Sequence, residues 1–456
     1  MKYYEDLKNA GAGDGLYTFV FDAINDHKGS QLYAMAADAY EYFRKRNVTI
    51  NNIVKMIYTI SGEMIRDEYS SNYRFCNSFF PIFVRQENSF LLGNGVTFEG
   101  SGTKKKLGGD MFDRQLYTAG EYALWGGVSF LFFNFDKVVP FKITEFVPLV
   151  GEEDGALHAG IRFWQLSADK PLRATLYEED GYTELVWRNG QKAEVLAPKR
   201  SYRQIKMESV AGGVEIVDGS NYPGFPIVPL WANKEHQSEL VGIRDKIDGY
   251  DLIQSGFANT VEDASEIYWT INNAGGMDEK DLAAFIDQIR RVKAAVVEDE
   301  GANAVANTLN IPYQARQAIL ADIRDSLYRD AMALDTDKIS AGNITATAVN
   351  AAYENLELKC DGYEYCVTDA INELLKLIGI EDSPTYHRRK TTNQLETTQM
   401  VLSAAQYLDS ETVLKHLPFL NIDEIENIMK KKVEEEEQRF ELVKEMNNNE
   451  SDAGNG

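Results

Sequence analysis

The spacing of hydrophobic and polar positions changes along the chain. In the first region, residues 1 to about 225, some stretches have helical spacing and others have the alternation of strands. Apolar residues at helical spacing predict helices over Gln31–Arg46 and Asn51–Glu68, and shorter alternations further along predict strands. Asn189-Gly190 lies between two such alternations and favours a tight hairpin, because both residues tolerate a positive φ. Glu179-Asp180-Gly181 is a second candidate hairpin turn.

The next region has the pattern of long amphipathic rods. The first rod follows Ser238, a candidate N-cap, and the second begins at Pro312, a residue that suits a first helical turn. The apolar stripe of the first rod is Leu240, Ile243, Ile247, Tyr250, Ile253 and Phe257. That of the second is Ala315, Ile319, Ile323, Leu327, Ala331 and Leu334. Between the rods, a Gly275-Gly276 turn and a helical pattern near Glu279–Arg290 predict a small α/β insertion.

A third rod, from Thr345 to Ile378, is the longest. Its apolar positions step alternately by four and three residues, which is the pattern of a helical seam. These positions are Val349, Tyr353, Leu356, Cys360, Tyr363, Val367, Ala370, Leu374 and Leu377. As one straight helix the rod would be about 51 Å long. The pattern therefore predicts an elongated subunit that packs against copies of itself.

The C-terminal region is predicted to hold shorter helices. Helical patterns lie near Gln394–Tyr407 and Ser410–His416, and a highly charged one runs from Asp423 to about Lys444. The final residues, 447–456, are rich in Asn, Gly and acidic side chains, and we expect them to be disordered.

Composition and charge exclude some classes of protein. The 456 residues carry a formal net charge of −24, which excludes a basic protein that wraps nucleic acid. Three cysteines, Cys76, Cys360 and Cys366, are too few for a disulfide-stapled secreted fold. The N-terminus lacks the apolar stretch of a signal peptide, and the most apolar run is too short to span a bilayer. We expect a protein made in a cytoplasm without membrane contact.

The sequence contains no residue pattern typical of a catalytic, cofactor-binding or metal-binding site. The five histidines are scattered, and Gly11–Gly15 lacks the preceding strand of a phosphate-binding turn, so it reads as a flexible N-terminal arm. Asp335-Thr336-Asp337 begins like a calcium loop, but Ile339 and Ala346 stand where that loop needs oxygen ligands. The sequence therefore does not predict an enzyme.

Three stretches, in order, resemble the portal proteins of long-tailed bacteriophages of Gram-positive hosts. Gly224–Glu235, followed by Ser238–Asp251, is similar to that family's Pro-Phe-x-Pro-aromatic-x-Asn stretch and the Leu-Ile-Asp-x-Tyr-Asp helix after it. Asn77–Phe98 resembles the family segment that ends Gly-x-Pro-x-x-Phe, with Gly95 where proline is common. Tyr407–Phe419 resembles the element Ser-x-Glu-Thr-x-Leu-x-x-Leu-Pro. The likeness covers most of residues 70 to 445.

The resemblance implies an α+β subunit with a mixed α/β wing, a long helical stem, a small α/β clip and a helical C-terminal crown. The implied segments are the wing at 1–237, stem helix 1 at 238–261, the clip at 262–308, stem helix 2 at 309–334, the tunnel loop at 335–345, a long wing/crown helix at 346–380, the crown at 381–446 and a disordered tail at 447–456. One departure concerns Ser340–Thr347, where the family often has Ser-Gly-x-Ala-Leu-Lys.

The resemblance also implies a function and partners. Such a subunit forms a ring, typically of twelve copies, at one vertex of the capsid, after assembly in the host cytoplasm. Its partners are the major capsid and scaffolding proteins, the large terminase subunit, a head-completion or tail adaptor protein, and double-stranded DNA that passes through the channel in packaging and ejection without sequence-specific binding.

Three sets of residues are the candidate sites. The tunnel-loop set facing DNA is Asp335, Asp337, Lys338, Ser340, Gly342 and Asn343. The stem-packing set is Ile243, Ile247, Tyr250, Ile253, Phe257, Ile319, Ile323 and Leu327. The clip set is Trp269, Gly275, Gly276 and Arg290.

A DNA conduit needs a wall that repels phosphate, because fixed basic clusters would hold the duplex in place. A negative subunit meets this need, and Lys338 is the candidate basic group that modulates it, although it equally fits an exposed loop lysine without a special role. Two other functions stay open. The third rod could form a coiled coil in a helical scaffold or adaptor protein, and the many acidic residues could serve a carboxylate-dependent hydrolase.

Overall fold

The structure is a computed structural model that describes residues 2–58, 63–68, 70–188, 193–210, 213–263, 268–272, 280, 303–307, 313–337, 346–388, 394–417, 425 and 428–432. The fold is α+β, as the sequence predicts. The chain divides into two compact units. One comprises Met1–Ala333 with Leu358–Arg388, and the other comprises Leu334–Glu357 with Arg389–Gly456.

Helices and strands alternate along the described residues. The helices are α1 (Tyr4–Ala10), α2 (Asp14–Lys28), α3 (Gln31–Phe43), α4 (Val48–Asn51), α5 (Phe79–Leu92), α6 (Thr103–Leu107), α7 (Asp110–Gly126), α8 (Arg244–Asp263), α9 (Tyr313–Asp330), α10 (Ala346–Ile378), α11 (Gln394–Ala404) and α12 (Ser410–Lys415), with a 3₁₀ turn at Ile143–Glu145. The strands are β1 (Met56–Tyr58), β2 (Met64–Arg66), β3 (Val96–Phe98), β4 (Val128–Asn134), β5 (Lys137–Lys142), β6 (Phe146–Val150), β7 (Leu157–Trp164), β8 (Leu172–Glu178), β9 (Gly181–Trp187), β10 (Glu194–Arg200), β11 (Arg203–Val210), β12 (Gly213–Ser220), β13 (Ile227–Trp231), β14 (Tyr268–Asn272), β15 (Asn303–Asn307) and β16 (Pro384–Tyr386).

The largest sheet of the described residues is an antiparallel meander in the order β10-β9-β8-β7-β6. Both predicted hairpins join its strands: β8 and β9 pair beside Glu179-Asp180-Gly181, and β9 pairs with β10 across 188–193. The turn Asn189-Gly190 itself lies outside the described residues. Gly181 has φ 145°, and a Cβ there would meet the carbonyl oxygen of Arg200 at 2.3 Å, so this position needs glycine.

One face of this sheet packs on the N-terminal helices. Leu7 of α1 and Phe19 and Ile24 of α2 are buried against residues of β6 to β9 such as Ile161 and Leu176. The expected flexible N-terminal arm is therefore wrong. Apolar side chains of both helices are covered by the sheet, and Gly11 and Gly13 turn the chain between the helices at positive φ.

A second sheet, in the order β13-β4-β5, organises the main core. Helix α7 packs on β4 and β5, and Trp125 at its end is fully buried. Phe130 and Phe141 on the sheet contact Phe146, with ring centroids 4.3 and 5.8 Å apart. Aromatic side chains at alternate strand positions thus fill the space between this sheet and its neighbours.

The prediction of a helix over Asn51–Glu68 is wrong. Helix α4 ends at Asn51, and the chain continues into β1 and β2, which pair with each other in antiparallel fashion. The β-branched residues Ile53, Val54 and Ile57 that supplied the helical spacing favour extended backbone instead.

The first rod begins six residues later than predicted. Helix α8 starts at Arg244, and Ser238 Oγ accepts a hydrogen bond from the backbone N–H of Leu240 in a turn before it. Gly242 has φ +88° and therefore interrupts regular helix at this point. The second rod, α9, begins at Tyr313, beside the predicted start.

The third rod is confirmed as one long helix, α10, and its seam is buried within the chain itself. From Tyr363 to Leu377 the seam residues lie in the main core cluster, and Cys360 is buried one turn before them. The seam residues of this stretch are Cys360, Tyr363, Val367, Ala370, Leu374 and Leu377, and all are buried. Periodicity predicts that a helix buries one face, and here the chain itself covers that face.

The remaining predictions fall on shorter elements. In the predicted insertion, β14 pairs with β15 in antiparallel fashion, whereas its Gly275-Gly276 turn lies outside the described residues. Helix α11 begins at Gln394, as predicted, and α12 is capped by Asp409, whose side chain accepts a hydrogen bond from the N–H of Thr412. Of the predicted charged helix, only 425 and 428–432 are described, and the tail 447–456 is not.

Candidate functional site in the helical stem

We keep the names of the predicted segments, stem for helices α8 and α9 and wing for residues 1–237. The two stem helices lie side by side in opposite directions. Near one end Lys246 Nζ donates to Ser326 Oγ at 2.6 Å and pairs with Asp330. Near the other end Arg316 donates to Thr260 Oγ1 at 3.1 Å. Because early residues of α8 meet late residues of α9, the pair is an antiparallel helical hairpin.

The predicted stem-packing residues fall into three groups. Ile243, Ile247 and Leu327 are buried in the main core. The half-buried ones are Tyr250, Ile253, Phe257 and Ile323. Ile319 is 50% exposed. Within one chain, the apolar stripe of the stem is therefore buried only at the end of the hairpin that contains Ile243, Ile247 and Leu327.

Several apolar side chains on the stem pair face away from the rest of the described chain. Leu252 and Val261 on α8 are 51% and 49% exposed, and Tyr313 on α9 is 53% exposed. Together with Ile319, which is 50% exposed, they are apolar side chains of the stem that the described residues leave about half uncovered.

A polar stripe on α8 was not recognised in the sequence. Asp251, Ser255 and Asn259 are spaced by four residues and all are buried. Their side-chain oxygens accept hydrogen bonds from the backbone N–H groups of Asn77, Phe75 and Tyr73, at 3.1, 2.9 and 2.6 Å. We call these three helix residues and segment 73–77 the clamp.

The clamp joins elements that are far apart in sequence. Asp251 also accepts hydrogen bonds from Asn77 Nδ2 at 2.6 Å and from Asn47 Nδ2 at 2.9 Å. Because Asn47 is the N-cap of α4, Asp251 joins α8 to the start of α4. Burial raises the pKa of Asp251, and the amide donors oppose that effect. The signal in the sequence is the spacing of four residues between polar side chains on a predicted helix.

A buried ionic cluster lies where the stem meets the wing. Lys359 Nζ on α10 lies 2.8 Å from a carboxylate oxygen of Glu87 on α5 and 2.7 Å from one of Glu239, just before α8. It also donates to the carbonyl oxygen of Ala331, just after α9, at 3.1 Å. We call Lys359, Glu87 and Glu239 the Lys359 hub. One ammonium group thus contacts three separate segments and joins them to α10.

The charges of the hub are strongly influenced by burial. The side chain of Glu87 is only 2% exposed, and burial raises the pKa of this carboxyl to about 7, although Lys359 opposes the shift. Burial alone would lower the pKa of Lys359, but the two carboxylates outweigh it and hold the pKa above its ordinary value. Glu239 is oriented further by Asn233 Nδ2, which donates to it at 2.9 Å.

The structure describes only part of the tunnel-loop and clip sets. Asp335 accepts a hydrogen bond from the N–H of Asp337 at 3.2 Å. Trp269 lies on β14 opposite Ala306 of β15. The residues that fall outside the described ranges are Lys338, Ser340, Gly342, Asn343, Gly275, Gly276 and Arg290.

Two kinds of feature are absent from the described residues. Within them, no group of three or more His, Cys, Asp or Glu side chains is placed to hold a metal ion. None of the helices in those ranges is long and apolar enough to cross a membrane.

Comparison with known families identifies the group to which this architecture belongs. Residues 177–438, more than half of the chain, match the family described as "Phage portal protein, SPP1 Gp6-like". The chain belongs to this portal protein family. The matched range contains both stem helices and the clamp residues of α8, so the portal family shares the region of the candidate site.

Curated portal proteins are also similar to the chain. The portal protein of Clostridium phage phiCD119 is 29% identical over 236 residues, which is 49% of this chain and 51% of that protein. The match thus spans about half the length of this relative. The portal protein of Bacillus phage SPP1 is 23% identical over 407 residues, covering 81% of this chain and 78% of that protein.

Solved structures of low sequence identity also align with the portal chain. One, titled "Neck of empty GTA particle computed with C6 symmetry", is 11% identical with a TM-score of 0.41 and covers 74% of this chain and 88% of that chain. Another, titled "Neck of native GTA particle computed with C12 symmetry", has the same identity and coverage and a TM-score of 0.39.

Proposed function

We propose that this protein is the portal subunit of a tailed phage, and that copies of it form a ring of twelve around a channel for double-stranded DNA. The observation that carries the proposal is the family match, which contains an antiparallel stem hairpin with exposed apolar side chains. Neighbouring copies of the stem would cover Leu252, Val261 and Ile319. The clamp and the Lys359 hub would hold each stem at a fixed angle to its wing.

The acidic composition supports a role as a conduit. With a formal net charge of −24 for each copy, a ring of this chain repels phosphate over much of its surface. A duplex would then slide without a deep binding minimum. Residues 335–345 would form the tunnel loop, with Lys338 as its basic group, and 262–308 would form the clip.

The proposed partners follow from a position at one capsid vertex of the virion. They are the major capsid and scaffolding proteins during assembly in the host cytoplasm, the large terminase subunit during packaging, and a head-completion or tail adaptor protein afterwards. We propose no catalytic residue and no cofactor for this role. The coiled-coil scaffold alternative is disfavoured because the seam of α10 is already covered from Cys360 to Leu377.

Negative-stain electron microscopy of the purified full chain tests the ring. We expect annular particles with a central hole, and the variant Leu252→Lys should reduce their number because it places a charge on the apolar face of the stem. The matched control is Leu166→Lys, since Leu166 is 86% exposed in the β7–β8 turn. Monomers at micromolar concentration in several salts, or equal ring formation by both variants, would contradict the stem interface.

A further inference from the structure

An aromatic cavity of about 440 Å³ opens at the surface of the wing, away from the stem. It lies between the tip of the β4–β5 hairpin and the face of the five-stranded sheet opposite the N-terminal helices. Its lining consists of Phe132, Asn134, Phe135, Thr175, Tyr177, Tyr182, Glu184 and Tyr202.

Four rings of the lining form a closed circuit. Phe132 is 5.0 Å from Tyr177 between ring centroids, and Tyr177 is 6.3 Å from Tyr182. Tyr182 is 5.8 Å from Tyr202, which returns to Phe132 at 6.3 Å. Such a circuit brings the electron-rich faces and the electron-poor edges of several rings to one small space, and a cation is attracted to the faces.

Glu184 is the only lining residue that carries a formal charge at neutral pH. It lies on β9 opposite Thr175 of β8, and within the part of the chain that the structure describes it has no ion pair. Tyr177 and Tyr202 stay neutral, because burial raises the pKa of Tyr177 to about 12 and raises that of Tyr202 as well. The cavity therefore combines aromatic rings with a single carboxylate.

The rim of the cavity is unusual in one respect. Phe135, at the tip of the β4–β5 hairpin, has φ +59° and is 50% exposed, which is a costly conformation for a large side chain. Its backbone N–H donates to Tyr222 Oη at 2.9 Å, and this bond helps to hold the tip in place. An exposed phenyl ring is thereby fixed at the entrance.

The same aromatic layer already holds guanidinium groups elsewhere. Arg162 lies over the ring of Phe141 at 4.4 Å, and Arg203 lies over that of Tyr222 at 4.7 Å. Arg162 lies on β7 opposite Thr175, and its positive charge disfavours the binding of a further cation in the cavity. Glu184, on the other side of Thr175, offsets that charge.

We propose that this cavity binds an arginine side chain presented by a partner protein. A planar guanidinium stacks on tyrosine and phenylalanine faces and at the same time forms two parallel hydrogen bonds with a carboxylate, as Glu184 would accept. Asn134 and Thr175 supply further polar contacts. Lysine fits less well, because its compact, strongly hydrated ammonium loses more on entering an aromatic site.

Ligand-observed saturation-transfer NMR on the full chain tests the site, because that method detects weak binding to large assemblies. The probe is N-acetyl-arginine methylamide, and the ligand control is the corresponding citrulline compound, which has the same shape without the charge. We expect transfer to the arginine probe that exceeds transfer to the citrulline probe, and that weakens with added salt.

Two variants locate the binding within the molecule. Glu184→Gln keeps the shape of the side chain and should lower the transfer about fivefold, and Tyr182→Leu should lower it as well. The control Glu381→Gln removes one charge from an exposed residue outside the cavity and should leave the signal unchanged. Circular dichroism verifies that the variants are folded. Absence of transfer in the natural chain, equal transfer to both probes, or full transfer in Glu184→Gln would each overturn the proposal.

Discussion

At the scale of single residues, Lys359 holds segments together that are far apart in the sequence. Its ammonium group contacts Glu87, Glu239 and the carbonyl of Ala331. Removing one partner of a buried ion pair leaves the other charge unpaired in a poorly solvated space, which costs more than the pair itself contributes. The hub is therefore sensitive to change in any of its members.

Replacing Lys359 with Met is expected to lower the free energy of unfolding by about 3 kcal/mol, because two carboxylates lose their counterion. Urea denaturation followed by circular dichroism measures the loss. The control is Lys376→Met on the exposed face of the same helix, which we expect to change stability by no more than about 0.5 kcal/mol. Similar losses in both variants would mean that the hub contributes nothing specific.

Glu87 gives stability a pH dependence of defined sign. Its pKa is about 7 in the folded chain and 4.5 as the ordinary value, so the folded state binds more protons between these pH values. The free energy of unfolding from this group therefore falls as pH rises from 4.5 to 7. The variant Glu87→Gln should show a flatter dependence than the natural chain across that window.

Urea midpoints measured at several pH values between 5 and 8 check this expectation. The control Glu381→Gln alters an exposed carboxylate and should keep the slope of the natural chain. If Glu87→Gln leaves the slope unchanged, then Glu87 stays ionised throughout and its burial does not govern its titration.

At the scale of secondary-structure elements, the clamp joins the stem to the wing. Asp251 accepts hydrogen bonds from the backbone and side chain of Asn77 and from Asn47. Replacing Asp251 with Ala leaves these buried donors without an acceptor, and each unsatisfied donor costs about 1–3 kcal/mol. We expect Asp251→Ala to free segment 73–77 before the protein unfolds globally.

Hydrogen exchange measured by mass spectrometry tests this expectation. Protection of the amides of Tyr73, Phe75 and Asn77 should fall at least about tenfold in Asp251→Ala, since an opening that is about 1.4 kcal/mol easier exchanges ten times faster. The control Asp245→Ala removes an exposed carboxylate from the same helix and should preserve protection. Equal exchange in the two variants would show that Asp251 does not hold the segment.

The sequence predicts the type of a secondary-structure element correctly where a long hydrophobic pattern fits only one type. The rods, the two hairpins and the start of α11 follow from periodicity and turn residues. The hairpin β1–β2 was missed because Ile53, Val54 and Ile57 satisfy helical spacing as well as strand propensity. The seam of α10 shows a different limit of sequence reasoning. A heptad stripe predicts that one face of a helix is buried, but it does not show which residues cover that face.

The clamp and the Lys359 hub could not be predicted. Their members come from segments that the sequence separates by more than a hundred residues, and a single Asp or Lys on a helix usually indicates a solvated face. Of the candidate site, the apolar stem residues were accessible to sequence reasoning. The polar contacts that orient the stem were accessible only from the fold.

At the scale of the whole molecule, charge governs how copies approach each other. Each chain carries a formal net charge of −24, so identical copies repel at low ionic strength. Added salt shortens the range of that repulsion to about 8 Å at 0.15 M, while apolar contacts between stems remain. The proposed ring should therefore be favoured by moderate salt.

Sedimentation velocity over a series of salt concentrations measures this effect. The oligomeric fraction should rise as sodium chloride increases from low values to about 0.3 M, because screening removes repulsion between acidic subunits. Leu166→Lys should behave as the natural chain does, whereas Leu252→Lys should stay largely monomeric throughout. Dissociation by moderate salt would instead indicate that ion pairs between copies dominate assembly.

The two sides of the clamp have different repeat distances, because one side is an α-helix and the other is a non-helical segment. Four residues of α8 advance about 6.0 Å along the helix axis, whereas two residues of extended chain advance about 6.6–6.8 Å. The three contacts at Asp251, Ser255 and Asn259 therefore accumulate a mismatch of little more than 1 Å. The side chains absorb this mismatch, since all three contacts are between 2.6 and 3.1 Å long. Side chains of two different lengths thus let a helix and an irregular segment stay in register over two turns of the stem.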